Sequence, residues 1–467
     1  MIRSARAAAR VGEEQLAGVP AMTLNPRRLA VDASHMSAMA RRGVAWLLIV
    51  LGGVWVAWLG GHFESLGDYG SEFAPSMNAL LAGHLHAFSR LQPADGAGGS
   101  VLLRAPAALA GKLLVGGQLA MFRFGALACE LAAGALGLAL ARDMRRRGVP
   151  IVSRAAVVGL CVLAAAVLDA IFFAHPEEIL GATLCIAAVL LSGANHPTLA
   201  GVALGCAIIN KPWGVLAIAP VLLASQSGLR RLSVGTIAVV APWLALAYGL
   251  DPARVFHAIG TASSLAFVAH PVDLWWPLDH AVHQRGIGPY YAPPRFLVDH
   301  AREIAVLLVI PLSLPLALGR LAGLRPSARH RHLARVSPIA VGDGAALNAA
   351  LALLALLFLL RCMLDPSDHV YYQIPFVLAL LTWESRVSRG PLRAMLAAGL
   401  LWLVFHTVSG IAGLSVQYIA YGLVVVPFAI LLMGPATAGA LRLPTAPRWR
   451  LARTGGLPFA NRIQRHA

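Results

Sequence analysis

The sequence predicts an all-α, polytopic membrane protein, and three observations carry that expectation. Hydrophobic residues make up 58% of the 467 positions and charged residues only 13%, against about 25% charged in a soluble domain. Mean hydropathy is +0.70, so the apolar surface needs lipid to cover it. The formal net charge is +17, yet the basic residues sit in short connectors between apolar runs and not in one basic domain. That placement argues against nucleic acid as a partner.

Residues 1–43 hold seven arginines and neither an apolar core nor a cleavage site, so they read as a disordered cytoplasmic tail and not as a signal peptide. Apolar runs follow at 44–61, 118–141, 151–173 and 177–193. Two short pieces come next, 198–209 and 213–225, then runs at 232–248, 303–319, 345–362, 370–384, 391–413 and 415–434. The membrane domain is thus expected over 44–434, with a basic cytoplasmic tail at 435–467.

The short pair decides the topology. Twelve helical residues reach about 18 Å, less than the roughly 30 Å hydrocarbon core. One continuous span through both pieces would bury Lys211 in lipid and put Arg230 and Arg231 outside. A re-entrant or tilted hairpin broken at Asn210-Lys211-Pro212 avoids both costs. About 12 membrane segments result, with both termini cytoplasmic, and 28 of the 38 basic residues then lie inside. This is the positive-inside bias.

Most acids fall on the opposite face or within spans. The outer loop 62–100 carries Asp68 and Glu72. Residues 101–117, with Arg104, Pro106 and Lys112, are expected to lie flat at the interface with their cations near lipid phosphates. A tight turn holds His175-Pro176-Glu177-Glu178, and the loop 249–302 holds His270 and the aromatic run Trp275-Trp276. A last outer piece contains Asp368-His369-Val370-Tyr371-Tyr372. Each group also fits a plainer role. The tryptophans suit an aromatic belt, Asp365 and Asp368 a solvated helix cap, and Glu177 and Glu178 the positive end of a helix dipole. Ionisable groups gathered at one membrane face are nonetheless functional candidates. The five cysteines fall in apolar runs without metal-ligand or disulfide spacing.

Four motifs together resemble the multi-pass membrane glycosyltransferases of the GT-C fold, closest to actinobacterial polyprenol-phosphate-mannose-dependent α-mannosyltransferases. They are Gly67-Asp68-Tyr69, His175-Pro176-Glu177-Glu178, Asn210-Lys211-Pro212-Trp213 and Asp368-His369-Val370-Tyr371-Tyr372. The resemblance covers roughly residues 44–434 as a layout. It implies a polyprenyl-phosphate sugar donor, mannose by preference, and a glycolipid or glycan acceptor at the outer face of the plasma membrane. It implies Asp68 as general base with Glu72 second, although many of those enzymes place adjacent acids where here three residues intervene. Arg104, His175, Glu177, Glu178, Lys211, His270, Asp368, His369 and Tyr372 are the implied substrate-binding residues. The sequence shows no compelling metal-ligand set, so no metal is expected, nor a cofactor. Two rival classes fit the composition as well, a transporter or flippase of lipid-linked sugars and a non-catalytic membrane scaffold.

Overall fold

A computed structural model describes residues 69–91, 98–225, 227–250, 272–284, 288–292, 343–365, 369–411 and 413–441, with a few isolated positions between 294 and 313. The chain divides into two units, 1–51 and 52–467, and the described residues belong to the second. Six helices among them are long and apolar enough to cross a membrane: Gly117–Arg146, Ile151–Phe172, Pro176–Gly193, Leu229–Ala247, Gly344–Leu364 and Leu414–Thr437. The protein is therefore a membrane protein built of apolar helices. The expected segment 44–61 lies outside the described residues, as does 303–319 except for Val309 and Ser313.

In chain order, a π-helical turn Tyr69–Phe73 leads into α1 (Ala74–Leu81) and α2 (Leu85–Arg90), followed by α3 (Gly98–Leu114) and α4 (Gly117–Arg146). The span 151–172 is α5 (Ile151–Leu163) and α6 (Ala165–Phe172), and α7 is Pro176–Gly193. The short pair is α8 (Pro197–Asn210), then a 3-10 turn Pro212–Ala217 continuing as α9 (Ile218–Ala224). Then come α10 (Leu229–Leu250) and α11 (Asp343–Leu364). A 3-10 turn Val370–Gln373 opens α12 (Ile374–Val387). Next is α13 (Leu392–Trp402), whose last turns widen into a π-helix Leu403–Val408 and end as α14 (Ser409–Ile411). Finally α15 (Leu414–Leu441) runs seven residues beyond the expected boundary at 434.

Two helices start by the same local device. Asn195-His196-Pro197 and Ala174-His175-Pro176 each place a residue in the left-handed region, φ +60° and +68°, then a histidine, then proline at the first helical position. Proline's fixed φ suits that position. The break between α8 and α9 is equally local. Lys211 precedes Pro212 and is extended, φ −149° and ψ 137°, as a residue before proline tends to be.

Contacts sort the connectors into two ends of the bundle. At one end Arg147 donates to the carbonyl of Arg386 at 2.9 Å and to that of Ser385, and Ser227 donates to Asn195 Oδ1 at 2.8 Å. His175, Lys211 and Tyr372 lie at the other ends of the same helices. Helices α8 and α10 meet backbone to backbone. A Cβ on Gly201 would sit 2.1 Å from the carbonyl oxygen of Leu232, and one on Gly235 would sit 2.5 Å from that of Thr198. Small residues permit this approach in membrane helices. Gly201→Leu should force the two helices apart and cost about 1–3 kcal/mol, read as a lower melting temperature of the detergent-solubilised protein. Val202→Leu on the exposed neighbouring position should melt like wild type; equal melting of both variants would refute the close contact.

The all-α class holds, and one short two-stranded antiparallel hairpin, β1 (His280–Gln284) and β2 (Gly288–Ala292), lies beside the helices, with Val282 opposite Tyr290. β-branched and aromatic residues on either side of a glycine-containing turn favour it. The segment 101–117 does not expose both of its cations. In α3, Lys112 is exposed, but Arg104 is only 2% exposed. Gly99 lets α3 approach the backbone of Ile209, which carries Arg104 into the interior.

Candidate functional site

The site is an ion network that begins with the first turn of α7. Proline at position 176 starts the helix, so Glu177 and Glu178 fall in its first turn, where the helix dipole favours carboxylates. Both are fully buried. Glu177 Oε1 lies 2.8 Å from His175 Nδ1 and 3.4 Å from Lys211 Nζ, and its Oε2 lies 3.6 Å from Arg104 Nη1. Glu178 Oε1 is 3.6 Å from Lys211 Nζ and Oε2 is 3.4 Å from Arg361 Nη1. Trp213 Nε1 donates to Glu178 Oε1 at 3.3 Å. Asn210 Nδ2 donates to the carbonyl of Glu177 at 2.8 Å, which ties the helix break to the start of α7. Asp365 sits near enough to Arg361 for the two charges to interact, so three cations face three carboxylates, with His175 in addition.

Aromatic rings frame the charges. Arg361 lies 4.6 Å from the centroid of Tyr372 and 5.0 Å from Trp213, and Arg104 lies 4.8 Å from Phe73. Such cation–π contacts hold guanidinium groups in place. The rings of His175 and Tyr371 stack at 4.5 Å, and His369 stacks on Tyr371 at 5.3 Å. Phe73 meets His175 edge-on at 6.2 Å. Gly181 supplies the room beneath. A Cβ there would lie 2.8 Å from both Asn210 Nδ2 and the Trp213 ring.

The backbone before His175 is strained. Asn195 accepts the left-handed conformation readily, whereas Ala174 in the same role pays a Cβ clash worth about 1–2 kcal/mol. The surrounding contacts fix Ala174 there: its N–H donates to Ile171 O at 3.1 Å, and the His175 N–H donates to Ala170 O at 2.6 Å.

The structure thus brings together Arg104, His175, Glu177, Glu178, Lys211, His369 and Tyr372. Lys211 was expected as a hydrated cation at a hairpin tip. It is 5% exposed, bound between two carboxylates. Asp68, His270 and Asp368 lie outside the described residues, and Glu72 lies in the π-turn with its side chain outside them. Tyr69, next in the chain after Asp68, is buried, with its ring 5.0 Å from Phe122. Burial pushes its phenol pKa up, against the pull of Arg104. Its hydroxyl and the Asn210 Oδ1 are buried without a hydrogen-bond partner among the described residues.

Sequence reasoning missed Arg361, which lies near the end of an apolar run, and Glu130, a lone acid inside another and 4% exposed. In each case an isolated charge within an apolar run was the available signal. Next to the network, the segment Val272–Asp279 docks on the end of α11. The Leu274 N–H donates to Met363 O and Trp275 Nε1 to Leu364 O, both at 2.8 Å. Asp273 Oδ1 accepts the N–H groups of Trp275 and Trp276 at 2.6 and 2.9 Å. Burial pushes the Asp273 carboxyl up to about 8, opposed by those backbone donors. Among the described residues no group of three or more His, Cys, Asp or Glu side chains is arranged to hold a metal ion. No family model, no curated protein and no solved structure matches this chain.

Proposed function

We propose that the protein is an integral-membrane glycosyltransferase. It moves a sugar, mannose by preference, from a polyprenyl-phosphate donor to a cell-envelope glycolipid or glycan acceptor at the outer face of the cytoplasmic membrane. The observation that carries this reading is convergence. Arg104, the His175–Glu178 turn, Lys211 and the His369–Tyr372 segment are far apart in the chain and meet in one buried network at one end of the helices. Glycosyl transfer from a lipid phosphate needs cations where the leaving phosphate gains charge and a base for the acceptor hydroxyl. The network supplies the cations. Asp68, one residue before buried Tyr69, supplies the base. The unpaired Tyr69 hydroxyl and Asn210 Oδ1 are the kind of buried groups a polar ligand satisfies. Both termini are cytoplasmic in this reading.

The test is sugar transfer from a lipid-linked donor in membranes of an expressing strain, with orientation read in parallel. Val115→Cys, at a position 70% exposed, should label from outside. Arg146→Cys, also at an exposed position, should label only after permeabilisation. The reverse pattern would overturn the orientation. A second reading, transport of lipid-linked sugars, draws on Glu130 inside a helix and on the contact between His406 Nε2 and Asp169 Oδ2 at 2.9 Å between two others, since transporters carry ionisable groups at depth. Flux of lipid-linked sugar across proteoliposomes without transfer would favour it.

A further inference from the structure

Arg104, Lys211 and Arg361 can neutralise a departing phosphate, but none can give up a proton near neutral pH. The two histidines gathered there, His175 and His369, can, and His175 lies 2.8 Å from a carboxylate oxygen. We infer that His175, as the imidazolium, donates a proton to the phosphate oxygen that leaves the donor sugar, and that Glu177 is its positioning residue; this rests on the glycosyl-transfer reading. Three observations point to it. Glu177 Oε1 lies 2.8 Å from Nδ1, and the neighbouring carboxylate favours the charged ring. Glu177 also faces Lys211 and Arg104, so it is held as the anion that orients the ring, as a carboxylate orients imidazole in hydrolytic triads. The ring is clamped between Tyr371 and Phe73 and follows a strained left-handed Ala174, and such strain collects where geometry matters to function.

The acidities match. A phosphate monoester dianion takes up its first proton near pH 6 and imidazole titrates near 6.5, and proton donors work best when so matched. In the step, the acceptor oxygen forms a bond to the anomeric carbon and its proton passes to Asp68. The bond from that carbon to the phosphate oxygen breaks, and its electron pair stays on oxygen. The Nε2 proton of His175 passes to the departing phosphate. Asp68 then loses a proton to water and His175 regains one, so the cycle closes without a co-reactant.

The experiment is kcat and KM against pH, with a polyprenyl-phosphate sugar as donor, for wild type, His175→Gln and His175→Ala. Wild-type kcat should fall about tenfold per pH unit on the alkaline side, above an inflection in the imidazole range. In His175→Gln, kcat should drop about 10²–10³-fold with KM within a few-fold, and the alkaline limb should vanish. Added imidazole should restore turnover in His175→Ala in proportion to its protonated fraction, which a merely structural role would not produce. A wild-type kcat flat from about pH 6 to 9 overturns the inference whether or not the variants fold. So does a glutamine variant that keeps the alkaline limb or loses KM alone. Absence of any transfer by wild type overturns both this inference and the function it rests on, whereas robust transfer with a flat profile overturns this one only.

Discussion

Glu177→Ala should unfold the end of the helix bundle that holds the ion network. The carboxylate it removes faces Arg104, His175 and Lys211, and Arg104 and Lys211 are themselves nearly inaccessible. Removing one partner of a buried ion pair costs about 3–5 kcal/mol, because the charge left behind has no water. Here Arg104 and His175 lose the carboxylate they face and Lys211 is left with Glu178, so the loss should fall in that range. A protein is commonly stable by only about 5–15 kcal/mol, so little folded protein should survive. Thermal unfolding of the solubilised protein, followed by tryptophan fluorescence, gives the measurement. Glu178→Ala should be milder, because Lys211 keeps Glu177 and Arg361 keeps its place over Tyr372 and Trp213. A Glu177→Ala variant that melts at the wild-type temperature would mean that the network does not hold the helices together.

Asp68→Asn should preserve folding and remove turnover. The amide keeps the shape of the side chain and cannot accept the acceptor proton, so kcat should fall by about 10²–10⁴-fold. In the proposed reaction the phosphate contacts come from other residues, so donor should still bind and KM should change little. Sugar transfer from a lipid-linked donor, with donor binding measured separately, checks both halves. Full activity in Asp68→Asn would pass the role to Glu72. Loss of donor binding in step with turnover would make Asp68 a binding group and not the base.

These two residues also mark how much could be read from the chain alone. Helix positions were legible, because a lipid-covered helix must be apolar along its length: the runs at 118–141, 177–193 and 345–362 reappear as α4, α7 and α11. The break at Asn210-Lys211-Pro212 and the start at His175-Pro176 were legible for a different reason. Proline sets its own φ and constrains the residue before it, so the information is local. The grouping of Arg104, Glu177, Lys211 and His369 at one face followed from counting crossings, which needs only the order of apolar runs and charges.

What the chain could not reveal was the partner of each charge. Arg104 in a weakly apolar segment looked like an interfacial cation, and Lys211 like a hydrated tip. Both are buried because Glu177 and Glu178, contributed by another helix, lie within 3.4–3.6 Å of them. Arg361 drew no notice within its apolar run until Glu178, Trp213 and Tyr372 surrounded it. The β-hairpin at 280–292 went unread because its strands are only five residues each, too short for a periodic pattern to stand out. The sequence by itself determined which segments are helical and where they break, since these follow from local backbone chemistry and from the cost of placing charge in lipid. Only the tertiary structure decided which charges are buried, because burial of an ion depends on a counter-ion that arrives from elsewhere in the chain.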